Sequence, residues 1–380
     1  MPPDLRDATF GENGFAVLAG SSPLQEILPG PGGSIYLVFT PDVGGVAVAR
    51  LTPDGAMDQS FSGDGWLEDS NASAVTVDSN ARVVTFRSVE TTETINHFPP
   101  ANPDVVITRS LTRYDAAGQR DQTFGTAGVL TWRIVLDPNW PTIRCPVDLF
   151  AAGDAVIVET EPYGNLCPAS GVDSVSAAGQ LRRDVASGRI ASDAAPWQPA
   201  RAMPGQNGSV LVMFTRTGSA PNALVARLGA DGTVDPSFVP RAITSHPNLD
   251  AMADMADGSL ILSGPSGPTR EDVWLVRYLP DGGADRSGAF APYGQVTVFS
   301  GERLRKANDR LVIPIRGGSP IGPSLQTIRS DGTTDLGQLQ TWSTPSPGVT
   351  NVMTQSIGAR VIAAGRSRDG TTWVTRLLSL

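Results

Sequence analysis

The chain has 380 residues with 29 basic and 38 acidic side chains, a net charge of −9, and Lys306 is its sole lysine. That acidity repels phosphate backbones and argues against nucleic acid as a partner. No stretch approaches the roughly 18 apolar residues of a membrane-crossing helix, and 41 glycines with 31 prolines suit many short strands joined by tight turns.

In chain order, the sequence opens on Asp7-Ala8-Thr9-Phe10-Gly11, followed by a short apolar segment, Gly14 to Leu18, read as a strand. A turn at Gly33-Ser34 then leads into Ile35-Tyr36-Leu37, and a longer phrase follows: Arg50-Leu51-Thr52-Pro53-Asp54-Gly55-Ala56-Met57-Asp58-Gln59-Ser60-Phe61. The same two motifs recur at Asn80 to Val84 with Arg113 to Phe124, and at Asn207 to Val212 with Arg227 to Phe238. They recur again at Asp257 to Leu262 with Arg277 to Asp285. Weaker copies pair Gly153 to Ile157 with Ser174 to Arg182, and Asn308 to Val312 with Thr327 to Gly337. After Gly358 to Ile362 the chain ends on Trp373-Val374-Thr375-Arg376-Leu377, the first half of the phrase, whose second half is Asp7 to Gly11.

The anchoring positions 7, 58, 121, 182, 235, 285 and 335 are separated by 51, 63, 61, 53, 50 and 50 residues. Units near fifty residues that cannot bury a face alone must stack, and radial stacking gives a propeller. The expectation is therefore an all-β, seven-bladed β-propeller, one domain over 1–380, closed by pairing of the N- and C-terminal strands, with residues 1–19 completing the last blade. Asn-Gly and Asp-Gly between apolar runs are hairpin turns, because both positions tolerate positive φ. Each blade then reads as strands A to D from the channel outward. The A–B and C–D turns share one face; the B–C loops and D–A crossovers share the other.

The phrase Arg-[Tyr/Leu]-x-x-Asp-Gly-x-x-Asp-x-[Ser/Thr]-Phe resembles the delta-60 repeat, a WD40-like β-propeller repeat found largely in bacterial proteins. The resemblance is specific at 50–61, 113–124 and 227–238 and fades at 174–190 and 325–340, where the Asp-x-x-Phe portion is lost. It implies architecture and carries no shared catalytic motif, and fold alone does not give function.

The repeated arginines and aspartates read as scaffold, since a residue present in every blade cannot mark one site. The two long steps place about ten extra residues in each of two consecutive units, and loops over a rigid scaffold are where binding residues gather. They fall near 88–103, 137–146 and 159–170 and bring His97, Trp140, Arg144, Glu159, Glu161 and Tyr163 to one face. His246, the other histidine of the chain, lies in a crossover on that face. Ligand binding there is assigned to Trp140, Arg144, His97, Tyr163 and His246. Glu26, Asp148 and Asp250 stand near inner strands and face the channel in this reading. No metal-ligand spacing or phosphate loop occurs, so no metal or cofactor is expected.

Cys145 and Cys167, the two cysteines, flank one hairpin and are expected to form a disulfide. Met1-Pro2-Pro3-Asp4 has neither the basic nor the apolar region of a signal peptide, so the chain is either cytosolic or starts at a mature terminus. With the disulfide and the scarcity of lysine, the extracellular or periplasmic reading is preferred. The expected function is an exported, monomeric propeller binding a small molecule, glycan or protein partner on its loop-rich face. The alternative is an enzyme of lyase, hydrolase or cyclase type at the channel mouth, with His97 or Tyr163 acting against Glu159 or Glu161.

Overall fold

A computed structural model of the chain describes residues 6–20, 22–93, 104–136, 147–160, 171–186, 198–215, 223–238, 241–243, 251–255, 257–265, 272–280, 283–285, 295–299, 305–307, 310–315, 324–329, 340–341, 350–357, 360–367 and 369–377. After a short β1 (Ala16–Leu18), strands follow one another in groups of four. The first blade is β2 (Leu24–Pro29), β3 (Ile35–Phe39), β4 (Val46–Leu51) and β5 (Trp66–Asp69). The second is β6 (Ala74–Val77), β7 (Val83–Glu93), β8 (Asp104–Tyr114) and β9 (Val129–Leu136). The third is β10 (Val147–Ala152), β11 (Ala155–Thr160), β12 (Gly171–Val175) and β13 (Leu181–Arg182). The fourth is β14 (Gln198–Pro204), β15 (Ser209–Thr215), β16 (Ala223–Gly229) and β17 (Arg241–Ile243). The fifth is β18 (Ala251–Asp254), β19 (Leu260–Pro265), β20 (Asp272–Tyr278) and β21 (Gln295–Phe299). The sixth is β22 (Arg305–Ala307), β23 (Arg310–Ile315), β24 (Ser324–Arg329) and β25 (Gln340–Thr341). All pairings are antiparallel meanders of sequential strands.

Six blades are thus contiguous in sequence. The remaining sheet is composite: β26 (Thr350–Ile357), β27 (Arg360–Arg366) and β28 (Thr372–Leu377) in order, with β1 on its edge. Here the sequence expectation needs correction in two respects. The N-terminal contribution is a three-residue strand, Ala16↔Val374 to Leu18↔Thr372, and not the strand expected from Gly14; Gly14 has φ +88 and belongs to a turn. Sheet-to-sheet packing runs through six junctions, β22 on β26, β26 on β2, β2 on β6, β6 on β10, β10 on β14 and β14 on β18. Among the described residues the second correction is therefore to blade number and closure: six blades are contiguous in sequence, not the seven inferred from the repeat count, and closure of a ring is not shown.

The core lies between blades. In Ile35 to Phe39 every residue is buried, because alternate side chains serve two neighbours. Ile35, Leu37 and Phe39 pack with Ile362 and Val374 of the composite sheet. Tyr36 and Val38 pack with Val75, Val77 and Val83 of the second blade. Further clusters join the second blade to the third, the third to the fourth and the fourth to the fifth.

The repeated phrase builds the turn face. Arg50 Nε donates to Asp58 Oδ2 at 2.8 Å, Arg113 to Asp121 at 2.9 Å, Arg227 to Asp235 at 2.7 Å and Arg376 to Asp7 at 2.8 Å. Each guanidinium also lies over the aromatic that ends its phrase, Phe61, Phe124, Phe238 and Phe10 respectively. Three of them reach into the next unit: Arg376 Nη1 donates to the Pro53 carbonyl, Arg50 to Ala116 and Arg113 to Ala177. The turn glycine explains the remaining part of the phrase. A Cβ on Gly118 (φ +77) would meet the Phe61 ring at 3.1 Å, and one on Gly55 (φ +86) the Phe10 ring at 2.8 Å. The Phe of one unit therefore packs onto the bare turn of the next.

Candidate functional site

Among the described residues, the opposite face departs from this symmetry most strongly at the second blade. The runs 83–93, 104–114 and 129–136 are rich in Val, Ile, Leu and Thr, a composition that suits strands. β6 stops where Ala74 pairs with Phe86, while β7, β8 and β9 continue, with Arg87↔Ser110 through Glu93↔Asp104 in unbroken register. Seven residues of β7 thus rise above the blade, roughly 23 Å at about 3.3 Å per residue. Residues 88–93, expected as part of a loop, are strand. Across this extension Arg133 donates to Glu93 on the exposed side.

One side of the extension faces the third blade. Along β8, Ile107, Arg109, Leu111 and Arg113 share that side, and Ile107 and Leu111 pack with Trp132, Ile134, Leu149 and Val158. Arg109 falls within this apolar surface and is 3 % exposed. Its Nη1 donates to Thr160 Oγ1 at 2.8 Å, at the end of β11. Its Nε has no acceptor among the described residues, and neither has Nε1 of Trp132, its direct cross-strand partner, 7 % exposed. Burial pulls the Arg109 pKa down, the charge of Asp173 opposes that shift, and Arg183 adds to it. Asp173, 7 % exposed, accepts from the Asp184 amide at 2.9 Å, and burial raises its pKa above the usual carboxylate range. No ion pair joins Arg109 to an acid among the described residues.

The other side of the extension bounds a cleft of about 200 Å³ against the first blade, lined by Asp69, Asn71, Thr85, Arg87, Ser110 and Thr112 among others. There Thr85 Oγ1 donates to Asp69 Oδ2 at 2.7 Å and the Tyr114 hydroxyl to the same oxygen at 3.3 Å. A smaller cleft, about 120 Å³, opens between the composite sheet and the first blade beside Phe39, Trp66 and Glu68.

Of the residues singled out from sequence, His97, Trp140, Arg144, Cys145, Glu161, Tyr163, Cys167, His246 and Asp250 lie outside the described residues. Glu159 is 2 % exposed and points away from Thr160, toward the fourth blade, where its Oε1 accepts from the Ala202 amide at 2.6 Å. It links two blades. Asp148 is its cross-strand partner on β10, half-buried, with Oδ1 accepting from the Leu149 amide at 3.0 Å. Glu26 is half-buried on β2, with the second blade standing between its blade and that of Asp148. The described residues contain no group of three or more His, Cys, Asp or Glu placed to hold a metal. Arg109, Trp132, Thr160 and Asp173 were not singled out from sequence. The available signal was parity: in Val105-Val106-Ile107-Thr108-Arg109-Ser110-Leu111 the arginine occupies an inward position.

Among solved structures, the chain is similar to a PL25 ulvan lyase, a polysaccharide lyase bound to a -[GlcA(1-4)Rha3S]- ligand, at 9 % identity, over 95 % of this chain and 94 % of that one, with a TM-score of 0.49. It is similar to the WD40 domain of Toxoplasma gondii coronin at 11 % identity, over 96 % and 86 %, with a TM-score of 0.48. It is also similar to the β-propeller domain of the Trilobed protease of Pyrococcus furiosus at 9 % identity, over 92 % and 93 %, with a TM-score of 0.45. No curated protein matches the sequence. A family model described as a beta-propeller domain of unknown function (DUF5122) matches residues 39–61 and 207–238, which include the phrases ending at Phe61 and Phe238.

Proposed function

We propose that this chain is a ligand-binding β-propeller of the delta-60 repeat type, exported from the cell, which takes a small molecule or glycan on its loop-rich face. The observation that carries this reading is the three-stranded extension of the second blade. It rises above a scaffold whose other blades manage without it, and the third blade packs against its flank. Among the described residues this extension occurs in the second blade, and the longest repeat steps in the sequence fall in that unit and the next, as a binding site grafted onto a repeat scaffold requires. The segments 94–103, 137–146 and 161–170, with His97, Trp140, Arg144 and Tyr163, complete the proposed face. A Cys145–Cys167 disulfide would tie two of these segments together.

The register suggests the test. Glu93 pairs directly with Asp104, so a two-residue Asn-Gly turn can replace 94–103 and still close the hairpin. A thermal-shift screen of neutral and acidic glycans on the whole chain should find a binder, and the trimmed variant should lose most of that affinity while melting within about 2 °C of the parent. Unchanged affinity in the trimmed variant would move the site elsewhere. Thiol titration of the exported, unfolded and unreduced protein should find no reactive cysteine; two would remove the argument for export.

A further inference from the structure

We propose that the junction of the second and third blades, at its loop-face end, binds a carboxylate-bearing ligand, such as an acidic sugar, with Arg109 as its anchor and the indole N–H of Trp132 as a second donor. The inference rests on the loop-face reading above and names the chemistry of its ligand.

Three observations support it. The first is the arginine's burial: a guanidinium removed from water is costly unless paired, and natural cores pair such groups or do without them. Arg109 has one neutral partner, Thr160, and its Nε finds no acceptor among the described residues. The second is the neighbouring donor. Trp132 stands directly across the ladder and its Nε1 is likewise buried without an acceptor, so two adjacent residues present donors in search of a shared acceptor. A carboxylate accepts from a guanidinium fork and an N–H together, and such charge-assisted bonds are about twice as strong as neutral ones.

The third observation is broken symmetry. Four residues before the phrase arginine, where the second blade has Arg109, other blades have Val46, Ala223, Val273 and Thr372. Their cross-strand partners are Asp69, Ile243, Val298 and Leu18, none of them Trp. The scaffold therefore builds this position without a cation or an indole. Arg183 adds a second positive charge near Arg109, while Asp173 offsets part of it. Ser88, the other cross-strand partner of Arg109, and Glu90 are exposed on β7, the edge from which a ligand would approach.

The test is a thermal-shift and calorimetric titration of the whole chain with sodium glucuronate, using glucose and sodium sulfate as controls. Glucuronate should give a saturable calorimetric isotherm and raise Tm by roughly 2 °C at ten times its Kd, and glucose should do neither. Arg109→Met should abolish the shift, and Trp132→Phe should weaken binding several-fold. Should Arg109→Met fail to fold, Arg109→Lys keeps the charge but loses the fork, and several-fold weaker binding is expected. Equal glucuronate shifts in parent and Arg109→Met, or no glucuronate response, would each overturn the inference. A neutral glycan that binds the parent but not the hairpin-trimmed variant, with glucuronate silent, would leave the loop-face reading standing alone. Silence from every glycan would remove both.

Discussion

Arg109 and Arg113 lie four residues apart on one side of β8, each 3 % exposed and each turned toward the third blade. Arg113, near the turn face, is fully engaged: its guanidinium donates to Asp121, Thr123 and the Ala177 carbonyl and lies over Phe124. Arg109, near the loop face, has Thr160 as its one hydrogen-bond partner among the described residues. The same residue type at the same burial therefore does two different jobs. The turn-face arginine belongs to a phrase repeated along the chain that supplies its partners. The loop-face arginine occurs once, in the blade that departs from the repeat. Within this molecule, repetition marks what holds the scaffold together, and departure from repetition marks what it presents.

The largest test of this contrast uses glycine. On the turn face, Gly118→Val puts a branched side chain at φ +77 with its Cβ 2.9 Å from the Ser62 amide and 3.1 Å from the Phe61 ring. Left-handed strain and overpacking together should cost roughly 3 kcal/mol or more. On the loop face, Gly44 has a similar φ of +86 and nothing within 4 Å of its Cβ position, so Gly44→Ala should cost only about 1 kcal/mol. Denaturant melts of the two variants check the difference, and equal losses would erase it.

Acid sharpens the same contrast. Asp7 is held down to about 2 from 3.8, chiefly by the Thr9 hydroxyl, with burial opposing and Arg376 assisting. At Asp58 and Asp121 burial opposes the shift, and Ser60 with Arg50 and Thr123 with Arg113 overcome it, leaving both lowered. At Asp235 the Ser237 hydroxyl leads, burial opposes and Arg227 assists. These carboxylates bind protons less readily folded than unfolded. Their stabilisation is complete above the unfolded carboxylate range and is lost as pH falls below it, for Asp7 through about 2. Tm should therefore fall steeply over that window, and a flat profile would show that the phrase's ion pairs do not stabilise the fold.

Much of this scaffold could be read in the sequence because its signals are local and repeated. Asp-Gly turns, buried five-residue runs such as Ile35 to Phe39, and the eight-residue interval between Arg50 and Asp58 each announce one contact, and repetition multiplies the evidence. In the split phrase, Arg376 donates to Asp7. Its strand content did not follow as simply, since Gly14 turns the chain and leaves three residues to pair. The loop face was harder. Glu90, Thr91, Thr92 and Glu93 are polar and read as loop, yet they form strand because β8 pairs with them and their side chains stand in solvent. Glu159 drew notice as an acid in a loop-rich segment, but strand parity turns it into the interior to accept the Ala202 amide. Arg109 gave only a parity signal, whose meaning depends on what the third blade places opposite it.

The most direct test of the division between scaffold and site is the melting temperature of Arg113→Met and Arg109→Met, side by side, without ligand. Removing Arg113 strands Asp121 and unties the second blade from the third, so Tm should fall by several degrees, equivalent to about 3 kcal/mol. Replacing Arg109 exchanges a poorly paired buried charge for an apolar chain of similar length, so Tm should hold or rise. Opposite responses are the expected result. A fall in both, of similar size, would contradict the account and make Arg109 one more member of the scaffold.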